Sequence, residues 1–193
     1  MSNIAIFASG SGSNAENIAS FFSGDANVSI CCILCNKPDA FVINRAKRLG
    51  IPHHVFSPRE LSQTTIVTDL LNDYKIDFIV LAGFLLKIPH SLIEKYPQRI
   101  INLHPALLPK YGGKGMYGNH VHQAVLDSQD VESGITIHYV DEHYDEGTTI
   151  LQAKCPVAVN DTVESLCNKI HRLEHYYYPR VIKAEIANLP ENK

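Results

Sequence analysis

The chain has 193 residues, 45% hydrophobic and 19% charged, with a formal net charge of -3. That length predicts one domain over residues 1–193, able to bury roughly 70% of its unfolded surface. The charge balance and the absence of any Lys/Arg run exclude an electrostatic footprint for nucleic acid, and no stretch reaches the ~18 apolar residues of a membrane span.

Asn3 to Ala8 reads as a first strand rather than a signal peptide, since no basic flank precedes it. It runs into Ser9-Gly10-Ser11-Gly12-Ser13-Asn14, and a helix follows from Asn14 to Phe22. A glycine loop between strand and helix suits a phosphate, because backbone N–H groups can approach the anion and the helix dipole favours it. The letters also fit Gly-x-Gly-x-x-Ala, with Ala15 third, a dinucleotide fingerprint. That fingerprint expects an acid after the second strand, whereas Val28 to Cys35 ends in Asn36-Lys37. Ser9, Ser11, Ser13 and Asn14 instead offer donors for a single phosphate, and a plain turn remains open, because short glycine motifs are weak alone.

Of the five cysteines, Cys31, Cys32 and Cys35 share this apolar second strand. Cys32-x-x-Cys35 has knuckle spacing, but no second pair follows at zinc spacing, so structural thiols are expected. With no signal peptide and no membrane span read, the chain is expected in the cytoplasm, where disulfides are rare.

Pro38 to Leu49 reads as a helix stopped by Gly50, Ile51 to Phe56 as a strand, and Pro58 to Tyr74 as one further helix. Asp77 to Gly83 is an uninterrupted apolar run, as a central parallel strand requires. A short helix, Ile88 to Tyr96, precedes a strand from Arg99 to Leu103. Alternating strands and helices predict an α/β fold, a doubly wound, mostly parallel sheet flanked by helices. Its ligands bind at the carboxyl ends of the strands.

At that edge stands Asn102-Leu103-His104-Pro105, with Asn102 and His104 on one face of the strand end. An amide beside an imidazole can hold an oxyanion and move a proton, although an isolated Asn-x-His more often bonds its local backbone. Pro105 and Pro109 keep the following loop irregular. Tyr111 to Gly118 reads as a glycine-rich flap, Asn119 to Leu126 as a helix, and Gly134 to Val140 and Ile150 to Val159 as strands. The acidic loop Asp141 to Gly147 lies between those strands. Asp161, with Glu164 at capping-box spacing, opens a terminal helix to about Ala187, and Pro190 to Lys193 reads as a disordered tail. His53 and His54 read as surface residues, and His120 and His122 cannot share a helix face. His171 and His175 are metal-pair spaced but lack a third ligand, so no metal is expected.

These pieces resemble the glycinamide ribonucleotide formyltransferases, folate-dependent enzymes of purine synthesis with a Rossmann-like fold, over nearly the whole chain. The resemblance is carried by Ser9 to Asn14, Val80-Leu81-Ala82-Gly83-Phe84, Asn102 to Pro109, the block His138 to Gly147, and Arg172-Leu173-Glu174-His175. It implies formyl transfer from 10-formyltetrahydrofolate, as co-substrate, to the amine of 5-phosphoribosylglycinamide, in a monomer or homodimer. It implies a catalytic trio of Asn102, His104 and Asp145, with Gly12, Ser13 and Asn14 on the ribonucleotide phosphate and Glu174 on the sugar. For the folate it implies Arg59, the wall Leu85-Leu86-Lys87-Ile88, and Asn102 at the formyl group. Two departures stand out: where the family commonly has Met-Arg or similar after Gly83-Phe84, Leu85 to Pro89 reads as one residue longer, which leaves the folate-wall register open by one, and the Gly112–Gly118 segment is longer than usual. The expected mechanism has Asn102 and a protonated His104 donating to the oxyanion, with Asp145 favouring the charged imidazole. The alternatives are a formyltetrahydrofolate deformylase, whose relatives carry an extra amino-terminal domain, and a non-catalytic nucleotide-binding module. A methionyl-tRNA formyltransferase would need a further carboxyl-terminal domain.

Overall fold

A computed structural model describes residues 1–189 of the chain, so Pro190 to Lys193, read above as a tail, lie outside the described residues. Along β1 (Ser2–Ala8), Ile4, Ile6 and Ala8 alternate with Ala5 and Phe7, and all five are fully buried. A strand apolar on both sides needs cover on both faces, and two separate cores supply it. Ile4, Ile6 and Ala8 pack with residues of α1 (Ser13–Phe21), α2 (Val42–Leu49), α6 (Asn119–Asp127) and α7 (Val163–Ala187). Ala5 and Phe7 face α3 (Pro58–Gln63), α4 (Ile66–Asp73) and α5 (His90–Lys95). Phe7 lies 5.3 Å edge-on to Phe84 and 6.0 Å from Phe56, a burial that contributes about 1.5–3 kcal/mol and seats the loop after the fourth strand.

The sheet has seven strands in the order β3-β2-β1-β4-β5-β6-β7, with β2 (Val28–Cys35), β3 (His53–Val55), β4 (Phe78–Leu81), β5 (Ile100–His104), β6 (Glu132–Tyr139) and β7 (Thr149–Pro156). The first five are parallel, β6 runs antiparallel to β5, and β7 runs antiparallel to β6. The order reverses between β1 and β4, the switch point where open α/β sheets bind ligands. There the Ser9 N–H donates to the Gly83 carbonyl at 3.0 Å, and the Leu85 N–H donates to Ser9 Oγ at 3.0 Å. On the other face, buried Tyr178 of α7 forks its hydroxyl between the carbonyls of Leu81 (2.9 Å) and Ile101 (3.2 Å).

Several predicted boundaries move, each for a local reason. The helix expected from Pro38 begins at Val42, whose N–H is taken by the Gly10 carbonyl, while Pro38 sits in the turn closed by Ala40 on Lys37. Gly50 does cap that helix, at φ 67. The single helix expected from Pro58 to Tyr74 is two, because Thr64 is extended (φ -135, ψ 173) and donates its hydroxyl to the Glu60 carbonyl. Threonine side chains compete with the helical ladder in this way. The third strand shrinks to His53–Val55, and the seventh ends at Pro156. The terminal helix is capped by the reciprocal pair Thr162 and Ser165 instead of Asp161 and Glu164. Asp161 supports that pair from outside, accepting from the Ser165 hydroxyl at 2.7 Å and the Ala158 N–H at 2.7 Å.

Candidate active site

β5 alternates like β1: Ile101 and Leu103 enter the α7 core while Ile100 enters the α5 core. Asn102 and His104 therefore share the α5 face of the sheet. Antiparallel β6 pairs Asn102 with His138 and His104 with Thr136, so four polar side chains occupy one patch of that face. Thr136, fully buried, donates to the Ala106 carbonyl at 2.7 Å and accepts from the Leu108 N–H at 3.0 Å. This clamps the Pro105–Pro109 loop onto β6. Gly134 allows the approach, since a Cβ there would lie 2.0 Å from the Ala153 carbonyl oxygen and 2.7 Å from Leu107.

Asp145 reaches the patch from the loop after β6. Its backbone is left-handed (φ 59), and Gly147 beside it leaves no room for a side chain, a Cβ there falling 1.8 Å from the Tyr139 carbonyl oxygen. Asp145 Oδ2 lies 3.5 Å from His104 Nδ1 and accepts from the Gly113 N–H at 2.9 Å. Its Oδ1 lies 3.4 Å from Asn102 Nδ2 and 3.6 Å from His138 Nε2. Burial pushes this carboxyl up, but its polar surroundings, the Gly113 N–H among them, hold it below the usual range, so it is ionised.

His104 departs from expectation. Burial pushes the imidazole down, and the opposing pull of Asp145 and of the Tyr111 carbonyl does not restore it, with His138 lowering it further. The resting ring is neutral, where a protonated one was expected. Desolvation outweighs the carboxylate because His104 is only 3% exposed. Its Nε2 lies 2.7 Å from the Tyr111 carbonyl, a pure acceptor, which assigns the ring proton to Nε2 and leaves Nδ1 free toward Asp145.

Asn102 is also more committed than expected. The His138 Nδ1 faces the Tyr139 carbonyl at 2.8 Å, so in a neutral ring Nε2 is the acceptor, 3.2 Å from Asn102 Nδ2. Both Asn102 amide hydrogens thus already have acceptors, His138 and Asp145. To donate to an oxyanion, the amide must release the longer contact, that to Asp145.

The glycine loop forms a second patch at the same edge. Gly12 is left-handed (φ 76) and a Cβ there would lie 2.4 Å from Val42 Cγ2, so only glycine lets α2 pack beneath the loop. The first N–H groups of α1, at Ser13 and Asn14, have no partner within the helix. Ser9, expected as a phosphate donor, is buried and committed: its hydroxyl donates to Asn36 Oδ1 at 2.6 Å. Asn36, which took the place of the acid in the dinucleotide fingerprint, is thus a structural acceptor. Asn14 Nδ2 donates to Glu174 Oε2 at 2.9 Å, and Asn14 Oδ1 is buried without a partner. Glu174 is 5% exposed, and burial raises its carboxyl, against the pull of Asn14 and His171.

The remaining predicted residues spread along the edge. Leu85 and Lys87 are exposed, Leu86 is half-buried, and Ile88 is a core residue packed with Phe84 and Leu92. Arg59 is exposed on α3, whose Leu61 joins the same core as Phe84 and Ile88. His53 and His54, read as surface residues, are half-buried, with His54 Nε2 3.0 Å from the Tyr74 hydroxyl. His122 is buried while His120 is exposed. Among the described residues, no group of three His, Cys, Asp or Glu is arranged to hold a metal, and no helix is long and apolar enough to cross a membrane.

Sequence reasoning gave no role to His138, Thr136, Tyr111 or Gly113. For the first two a signal existed, since Thr136-x-His138 mirrors Asn102-x-His104, but reading it requires the antiparallel register.

A family model described as Formyl transferase matches residues 2–182. The chain is 41% identical over 187 residues to a phosphoribosylglycinamide formyltransferase, chloroplastic, of Arabidopsis thaliana, covering 94% of this chain and 64% of that protein. It is 36% identical over 188 residues to the phosphoribosylglycinamide formyltransferase of Bacillus subtilis, covering 95% and 94%. The crystal structure of phosphoribosylglycinamide formyltransferase from Anaplasma phagocytophilum superposes with a TM-score of 0.88 at 32% identity, covering 97% of this chain and 87% of that one. The chain thus spans just under two thirds of the plant protein and nearly all of the Bacillus one.

Proposed function

The chain belongs to the formyl transferase family, and from that premise we propose that it transfers the formyl group of 10-formyltetrahydrofolate to the amine of 5-phosphoribosylglycinamide. The observation that carries this is the convergence of Asn102, His104 and Asp145 within 3.5 Å, on the same sheet edge as a phosphate-suited helix start. The phosphate would accept from the N–H groups of Gly12, Ser13 and Asn14 at the positive end of α1. The sugar hydroxyls would meet Glu174 and the orphaned Asn14 Oδ1, an acceptor with no other partner. The folate would lie along Leu85, Leu86, Lys87 and Ile88, the last through its backbone, and extend toward Arg59. The five free cysteines fit a reducing compartment, which we take to be the cytoplasm.

The amine attacks the formyl carbon, and the carbonyl electrons move onto oxygen. Asn102 turns one amide hydrogen from Asp145 to that oxyanion, a donor whose loss typically costs about 10²–10³ in rate. The nitrogen, now cationic, gives its proton to the free Nδ1 of neutral His104. Ionised Asp145 stabilises the imidazolium so formed. His104 then delivers the proton to the folate nitrogen as the C–N bond to folate breaks and the carbonyl re-forms. The proton taken from the amine leaves on the folate, and His104 ends neutral. General acid–base transfer of this kind contributes about 10²–10⁴.

An absorbance assay for the folate product, run with and without the ribonucleotide, tests the reading. Product should form only with the ribonucleotide, and Asn102→Ala and His104→Ala should each lose about 100-fold or more in turnover. Formate release without an amine acceptor would favour a deformylase, and near wild-type turnover in either variant would end the assignment.

A further inference from the structure

The flap is tied to the site at two points, and one of them governs the chemistry of His104. Tyr111 has a left-handed backbone (φ 58), a conformation that a bulky residue keeps only where its surroundings over-determine it. Here they do. Its hydroxyl donates to Asp130 Oδ2 at 2.9 Å, its ring packs on the α7-side core, and its carbonyl points at His104 Nε2, 2.7 Å away. The neighbouring Lys110 holds both Asp130 oxygens at 3.1 Å. Gly112 closes the turn under Leu108, and Gly113 ties the strap to Asp145.

We propose that Tyr111, anchored by Asp130, is a positioning residue that fixes the tautomer and ring orientation of His104, making Nδ1 the working nitrogen. This rests on the reading of His104 as the proton carrier. A neutral imidazole has one proton, and a carbonyl can only accept, so the Tyr111 carbonyl holds that proton on Nε2. Nδ1 is then the only ring nitrogen able to take a proton from the substrate amine, and it faces the carboxylate that stabilises the product cation. Without the strap, the proton could settle on Nδ1 against Asp145, and the ring would be blocked as a base on the cleft side. The ionisable groups around the ring are Asp145 from its loop and His138 from β6. Those around the anchor are Lys110 and, beyond it, Glu132, itself paired with Lys154 at 2.7 Å.

Long-range proton–nitrogen correlation spectra of the full chain labelled with ¹⁵N-histidine report the tautomer directly, with His104→Ala identifying the His104 signals. The wild-type ring should be protonated on Nε2 alone. Tyr111→Phe and Asp130→Ala should each mix the two tautomers and lower kcat about tenfold, with KM for both substrates within about twofold. Asp130→Asn, which keeps an acceptor for the hydroxyl, should restore the wild-type tautomer and most of kcat. A wild-type ring protonated on Nδ1, alone or together with Nε2, would overturn the proposal, as would a pure Nε2–H tautomer in both Tyr111→Phe and Asp130→Ala. An Asp130→Asn that behaves like Asp130→Ala would also count against it, pointing to charge instead of the hydrogen bond. If His104→Ala kept its turnover, the proton-carrier reading would fail whatever the tautomer.

Discussion

Thr136→Val tests whether the catalytic loop is held by one buried hydroxyl. The substitution keeps the side-chain shape and removes three contacts: the 2.7 Å bond to the Ala106 carbonyl, the 3.0 Å bond from the Leu108 N–H, and the 3.0 Å bond from Gln152 Nε2. Gln152 retains the Leu108 carbonyl at 2.9 Å, so its loss is small. The Ala106 carbonyl lies in a fully buried residue, and leaving such a group unpaired costs about 1–3 kcal/mol. The Leu108 N–H adds about 1 kcal/mol, and the extra methyl returns a little under 1 kcal/mol by burial. The net destabilisation expected is about 1–3 kcal/mol, read from urea unfolding at pH 7. Because Ala106 is two residues from His104, the relaxed loop should also displace the ring, and a displacement near 1 Å costs about 100-fold in turnover. Thr136→Ser, which keeps the hydroxyl, should lose about 1 kcal/mol and little activity. A Thr136→Val that loses under about 0.5 kcal/mol with turnover intact, or a serine as damaging as valine, would mean that this hydroxyl does not hold the loop.

Tyr178→Phe removes the hydroxyl that bridges the ends of β4 and β5, and should lower stability by about 1–2 kcal/mol in the same unfolding assay; an unchanged midpoint would mean that water replaces it. Asp161 has its carboxyl pulled from 3.8 to about 2, by Lys169 first and then by the Ala158 N–H and the Ser165 hydroxyl. A depressed folded-state value contributes stability above the unfolded value, lost as pH falls from near 4 toward 2. Solvent screening limits that contribution to roughly 1 kcal/mol. Asp161→Asn should therefore be less stable than wild type at pH 7 and close the gap as pH approaches 2, and a gap that widens on acidification would contradict the assignment.

Local pattern carried far in this chain. Uninterrupted apolar runs at β1 and β4 stated that both faces of the sheet are covered, because side chains alternate and no polar residue interrupts either face. The strand–glycine–helix order at Ser9 to Asn14 is found as read, and Gly50 ended its helix as read. Period two alone placed Asn102 and His104 together. Each of these depends on residues within a few positions of one another.

What local pattern could not decide is long-range in origin. Which of Asp141, Glu142, Asp145 and Glu146 reaches the site depends on the left-handed turn at Asp145 and the clearance at Gly147, whose obstacle is the carbonyl of Tyr139 on the other side of the loop. Ser9 looked like a phosphate donor until β2 brought Asn36 to its hydroxyl. His138 and Thr136 joined the site only through the antiparallel register of β6 on β5. The charge of His104 reversed for the same kind of reason. A carboxylate nearby argues for an imidazolium, but the degree of burial that opposes it is a property of the packed tertiary structure, and there burial prevails.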